Sequence, residues 1–259
     1  EPYSIEGRWL SVVGDTIVAM CGRYASTQTD SDLQAVFDIA ETVGEQLPPA
    51  YNVAPTQTVR AVLERAPKDE PESAAVRQLR SVRWGLIPSW AKDPKIGSRM
   101  INARSETITE KPSFKKAAAR RRCIVPADGY YEWHTVDGPS GKPVKTPHWI
   151  TDPVEGELAF AGLYSWWRPP VAEGAEPEPW VLTATMLTRA AHGPAASIHD
   201  RAPVMLPREA WDTWIDPTVE GDAALVDMVV AESETVLERL ELHAVAPLRG
   251  DGPHLIEPV

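Results

Sequence analysis

Trp180-Val181-Leu182-Thr183-Ala184-Thr185-Met186-Leu187 is an uncharged run of apolar and β-branched side chains. It is too short for a buried helix and holds no glycine or proline, so it reads as a strand. Residues 58–63, 76–87, 123–125 and 158–164 are likewise alternating or apolar β-rich runs and read as strands. Helical spacing appears between them. Leu33, Val36, Phe37 and Ala40 recur at helical intervals after an Asp/Ser-rich start, and residues 106–122, with Phe114 and three successive alanines, read as a second helix. Pro207 opens a third over residues 208–214. Strands mixed irregularly with a few helices predict an α+β domain on a largely antiparallel sheet, not repeated βαβ units.

The chain has 259 residues, 43% of them hydrophobic and 24% charged, enough to bury a core without a disulfide or metal staple. No charged or Gly/Ser-rich linker divides it, so one domain is expected. No 18-residue apolar run is present, which excludes a membrane-spanning helix. Cys21 and Cys123 are far apart and lack paired spacing, which speaks against a disulfide framework or zinc ribbon and for a reducing cytoplasm. The first methionine is Met20. Residues 1–19 lack the pattern of a signal peptide, and Ile5-Glu6-Gly7-Arg8 resembles a vector-encoded protease site. They are read as an extension, absent from the active form, ahead of a domain at 20–259.

Net charge is −11, which alone disfavours nucleic acid. The distribution differs: residues 83–122 hold eleven Lys/Arg against three acids, a local +8, and the rest of the chain carries −19. Such a run often only faces water. No glycine-rich phosphate loop, metal-ligand cluster or internal repeat is visible, and the Glu- and Pro-rich residues 171–179 read as a surface loop.

Cys21 directly follows Met20. Removal of that methionine would leave a 1,2-aminothiol whose amine (about 7.7–8.0) and thiol (about 8.5) both titrate near neutrality. Such a pair condenses with aldehydes: the amine forms an imine, the sulfur adds to it, and a thiazolidine closes. An internal cysteine cannot do this, because its nitrogen is an amide.

Met20-Cys21-Gly22-Arg23-Tyr24 resembles the opening of the SOS-response-associated peptidase family. Further blocks resemble that family in order: Tyr51-Asn52-Val53-Ala54-Pro55-Thr56, Arg83-Trp84-Gly85-Leu86-Ile87-Pro88-Ser89-Trp90, Ile101-Asn102-Ala103-Arg104-Ser105-Glu106-Thr107, Cys123 through Trp133, Ile198-His199-Asp200-Arg201-Ala202-Pro203-Val204-Met205-Leu206, and the closing Gly252 through Pro258. The resemblance spans residues 20–259 and implies a single domain with a barrel-like β core. It also implies a protein that captures abasic sites in single-stranded DNA as a thiazolidine on the N-terminal cysteine, shielding the lesion in the DNA damage response. Cys21 would be the nucleophile. Asn102 would orient the amine without adding charge. Glu132, among Tyr130, Tyr131 and Trp133, would move protons as the carbinolamine loses water, and His199 would assist ring opening and reversal. Arg23, Arg104 and Arg201 resemble phosphate contacts. Asn52, Pro55, Trp84 and Trp133 join them as DNA-binding residues, with Pro55 and Trp84 wedging against or stacking on flanking bases. The expected partner is single-stranded DNA with abasic sites, bound by a monomer that needs no cofactor or metal.

His134, His148, His192, His243, His254 and Cys123 lack comparable context and read as structural. Ala202 stands where the family often has methionine. Two other functions compete. A thiol peptidase would use Cys21, His199 and Asn102 to cleave its own leader, and a non-catalytic DNA reader would form only salt-labile complexes.

Overall fold

The computed structural model describes residues 22–66, 73–138, 142–171 and 174–259. Residues 1–19, Met20 and Cys21 lie outside the described residues, so the leader and the cysteine are not placed.

The strands are β1 (Arg23–Ser26), β2 (Glu41–Val43), β3 (Ala50–Val53), β4 (Thr58–Arg65), β5 (Val76–Trp84), β6 (Asn102–Arg104), β7 (Arg122–Ala127), β8 (Gly129–Asp137), β9 (Pro143–Thr151), β10 (Leu158–Trp167), β11 (Val181–Ala190), β12 (Arg201–Pro203) and β13 (Glu241–Ala244). They form two sheets. One runs β13-β9-β8-β1-β3; the other runs β12-β11-β10-β7-β4-β5-β2, with β6 added beside β11. Pairing is antiparallel except where β5 and β6 run parallel to β11 and β2 runs parallel to β5. The expected α+β class with a largely antiparallel core is found.

Helix α1 (Asp30–Phe37) begins at a capping box between Thr29 and Asp32 and ends at left-handed Asp38. The helix expected over residues 106–122 is only α2 (Lys115–Arg120). Pro112 supplies no amide hydrogen to a ladder there, and Arg122 already belongs to β7. Helix α3 (Arg208–Ile215) follows Pro207 as expected. Helix α4 (Ala223–Arg239), capped by Asp222, is absent from the sequence reading.

The five apolar runs became β4, β5, β7, β10 and β11, the centre of the larger sheet. That sheet is covered on both faces. One face packs Val59, Ala61, Leu63, Val82 and Phe160 against Tyr24, Tyr130 and Ile150 of the smaller sheet. The other packs Val62, Leu79, Ile124 and Leu187 under α1, α2, α3 and α4. Gly85 ends β5 at φ +124, and a Cβ there would stand 2.6 Å from the Gly97 carbonyl oxygen. Only glycine fits that corner. Among the described residues no helix is long and apolar enough to cross a membrane.

Candidate active site and nucleic-acid interface

Almost every segment carrying a candidate residue is rooted in the core cluster between the sheets. Tyr24, Val53, Ile101, Tyr130 and Ala202 belong to it and neighbour Arg23, Asn52, Asn102, Tyr131 and Arg201 in sequence. His199 donates its amide to the carbonyl of Ala195, another member. The core thereby holds polar groups from five separate stretches of chain.

Strand β1 is the first described element after Cys21. It lies antiparallel to β8, with Arg23 opposite Tyr131 and Tyr24 opposite Tyr130. The register therefore runs from Gly22 toward Glu132. Glu132 is 3% exposed, and its Oε1 accepts the Trp133 amide at 3.2 Å. Opposite it on β9 stands His148, whose Nδ1 donates to the Thr146 carbonyl at 3.1 Å. The His134 ring is 5.8 Å from that of His148. Both histidines, read as structural, share the Glu132 face.

Asn102 is half-buried at the start of β6, level with Met186 of β11. Its neighbour Ile101 is fixed through its carbonyl, which accepts the Trp84 indole N–H at 2.9 Å and the Met186 amide at 3.1 Å. His199 Nδ1 lies 2.8 Å from Asp200 Oδ1 and 3.1 Å from the Arg201 amide nitrogen. A protonated Nδ1 donates to Asp200; a bare one accepts from Arg201. Each state has a partner, which suits a group that passes protons.

The DNA-binding candidates divide. Arg23 donates to Asn52 Oδ1 at 2.8 Å, and Asn52 donates to the Gly250 carbonyl at 2.9 Å. Asp251 accepts the Tyr51 amide at 2.6 Å, so residues 250–251, unmarked in the sequence, buttress this corner. Pro55 occupies a turn closed by the Gln57 amide on the Ala54 carbonyl at 3.3 Å, in which Thr56 adopts φ +73. A β-branched residue in that region is strained, which makes the corner stiff. Arg104 is exposed and level with Thr188. Arg201 is already engaged: it forms a two-pronged ion pair with Glu106 and donates to the Thr188 carbonyl at 2.9 Å. That pairing holds the Glu106 carboxyl below the usual range. Phosphate would have to compete with Glu106 for this guanidinium.

Trp84 corrects the sequence reading. It is 1% exposed, meets Tyr24 edge-on at 5.4 Å and has its N–H bonded, so it supports the site from the core and offers no face to a base. The exposed aromatic of the same block is Trp90, at 58%. Trp133 is half-buried against the cluster of Ala25, Tyr131, Trp149, Val245 and Leu255. Behind the Pro55 turn is a pocket of about 400 Å³ lined by Tyr24, Gln28, Pro48, Val53, Gln57 and Arg60. Asn102, Glu132 and His199 do not line it. Among the described residues there is no metal-binding group of His, Cys, Asp and Glu.

Residues 20–248 match the family described as SOS response associated peptidase. The chain is 35% identical over 240 residues to the abasic site processing protein YoqW of Bacillus subtilis, covering 92% of this chain and 99% of that one. It is 31% identical to the abasic site processing protein HMCES of Gallus gallus, over 82% of this chain and 66% of the relative. A solved protein of Bacteroides thetaiotaomicron, 22% identical, superposes with a TM-score of 0.72 over 92% of this chain. The chain belongs to the SOS response associated peptidase family.

Proposed function

We propose that this protein captures abasic sites in single-stranded DNA as a covalent thiazolidine on Cys21 and so shields the lesion during the response to DNA damage. The observation that carries the reading is the pairing of β1 with β8. It directs the chain that follows Cys21 along Tyr130-Tyr131-Glu132, where a carboxyl is held almost out of water. The relatives' description as abasic site processing proteins supports the substrate.

The reaction begins when His199 passes a proton as the abasic sugar opens to its C1′ aldehyde. The Cys21 amine, freed of Met20, adds to that carbon, and Asn102 orients the addition. Glu132 protonates the departing hydroxyl of the carbinolamine, so water leaves and an imine forms. The Cys21 sulfur adds to the same carbon, its proton goes to nitrogen, and the ring closes with one water lost overall. Arg23 and Arg104 hold flanking phosphates without reading sequence, and Pro55 bears on a neighbouring base.

Glu132→Gln and His199→Ala test these roles. Crosslinks to an abasic oligonucleotide, counted on a denaturing gel, should form at least about tenfold more slowly in each, given the usual contribution of general acid–base catalysis. Non-covalent affinity for undamaged strand should be retained. Unchanged rates in both variants would overturn the assignment. The family description as a peptidase favours one further activity: the same Cys21 thiol would cleave its own leader before crosslinking begins.

A further inference from the structure

We propose that Arg65, Arg80, Arg168, Trp166 and Trp180 form a second contact track for the phosphates and bases of the single strand flanking the site. The inference deepens the reading of single-stranded DNA as ligand and rests on it.

Several arginines on this fold are neutralised: Arg60, Arg77, Arg189, Arg201, Arg208 and Arg239 each pair with a carboxylate. Arg65 and Arg80 do not, among the described residues. Their guanidinium carbons stand 5.7 and 5.4 Å from the same Trp166 ring, so two like charges share one aromatic support. Among the described residues Arg80 donates to the Gln78 side chain at 2.9 Å, and Arg65 to the Ala66 carbonyl at 3.4 Å. Glu41, the nearby acid, is bonded to Gln78 at 2.6 Å. Burial and the charge of Arg65 lower the pKa of Arg80 more than the charge of Glu41 restores it, as expected for two cations held close together. A phosphate between them would relieve the repulsion and use the donors that remain.

Trp180 supplies the stacking surface. It is 54% exposed, and the Arg168 guanidinium lies 4.6 Å from its ring centre, bracing one face and leaving the other to solvent. Strand β11 links the track to the site, pairing with Trp166 and Trp167 at one end and with Asn102–Arg104 at the other. Trp166 and Trp167 pair with Leu182 and Val181 of β11, and the Trp167 indole donates to the Ala91 carbonyl at 2.7 Å. That bond seats the loop of exposed Trp90, Lys92 and Lys95 beside the same strand ends. From Trp180 to Thr188, where Arg201 is anchored, the distance along β11 is roughly 26 Å, a span that only a strand of several nucleotides can cover. Exposed Glu176 and Glu178 bound the track on the side of the preceding loop.

The test uses fluorescent undamaged single strands of about 5 and about 15 nucleotides, with abasic counterparts for the covalent step. Trp180→Ala, and Arg65→Gln with Arg80→Gln, should each weaken binding of the longer strand about tenfold. The double variant should also flatten the salt dependence by about 1.4 in log–log slope, the value for two lost phosphates on a single strand. Binding of the shorter strand and its crosslink yield should stay at wild-type level. Trp180 is largely exposed, so its variant keeps the fold and settles the question if the arginine variant melts early. Equal loss on both lengths, or no loss on the longer strand in Trp180→Ala, overturns the track, as does binding of polyglutamate in place of the oligonucleotide. Wild-type protein that binds with length dependence but forms no crosslink refutes the thiazolidine reading alone. Wild-type protein that binds neither strand refutes both.

Discussion

In residues 85–104 the chain leaves β5 at Gly85 and passes exposed Trp90, Lys92, Lys95 and Arg99 before reaching exposed Arg104 at the rim of the site. In residues 115–122 a denser run of positive charge forms α2 and then turns inward. Arg120 donates to the carbonyls of Pro217 and Thr218, and Arg122 is 2% exposed, with five carbonyls bound: Trp214, Ala118, Ala119, Asp216 and Val219. One half of the basic run faces water beside the site. The other half ends in a clamp that ties α2 and the 214–219 loop to β7. A guanidinium has five N–H donors in a fixed fork, so it can close a set of backbone carbonyls as well as grip phosphates. Charge density in sequence does not separate those uses.

Arg122→Ala should separate the halves most sharply. It strands several carbonyls in the core and should destabilise the fold by roughly 3 kcal/mol or more, read as a fall in the denaturation midpoint. DNA affinity of the fraction still folded should stay near wild type; a selective loss of binding would break the division. Arg104→Ala is the mirror experiment. Its melting temperature should be unchanged, while affinity for single-stranded DNA falls several-fold and the log–log salt slope flattens by about 0.7, one phosphate's share.

Two carboxyls refine the comparison through pH. Glu106 has its pKa lowered chiefly by the Arg201 hydrogen bond. The ion pair therefore stabilises the fold above the normal carboxylate range and loses that contribution as pH falls through the lowered value. Glu106→Gln should cost at most about 1 kcal/mol at neutral pH, because the pair is partly exposed, and nothing in strong acid. The same variant frees Arg201, so DNA binding should rise. Glu157 goes the other way: burial pushes its carboxyl up to about 7. The folded state holds the proton more tightly, so this contribution is full in acid and is lost as pH rises toward 7 and beyond. Thermal melts across that window should show wild type losing more stability than Glu157→Gln. Parallel curves would refute the assignment.

The β-rich runs disclosed the centre of the larger sheet because strands covered on both faces are rich in apolar and β-branched residues, even where β4 and β5 carry arginines. The smaller sheet was hidden. Strands β8 and β9 mix Glu132, His134, Lys145 and His148 with aromatics, since one end of each lies at the polar rim. Helix α4 escaped because Glu232, Ser233 and Glu234 interrupt its apolar face, although Leu225, Val226, Val229, Val236 and Leu237 are buried at helical spacing. Trp84 and Trp90 stand in one apolar block, and only the pairing of β5 with β11 decides which is buried. Glu132 and Asn102 were legible only through the ordered blocks, because nothing local distinguishes a working carboxyl from a satisfied one.

The most direct test is intact mass spectrometry of protein whose first residue is Cys21, mixed with single-stranded DNA carrying one abasic site. The expected product is a heat-stable adduct of protein plus DNA minus one water, absent from Cys21→Ala and from protein that retains residues 1–20. An adduct that forms equally with the leader in place, or none with a free Cys21 amine, would contradict the thiazolidine account.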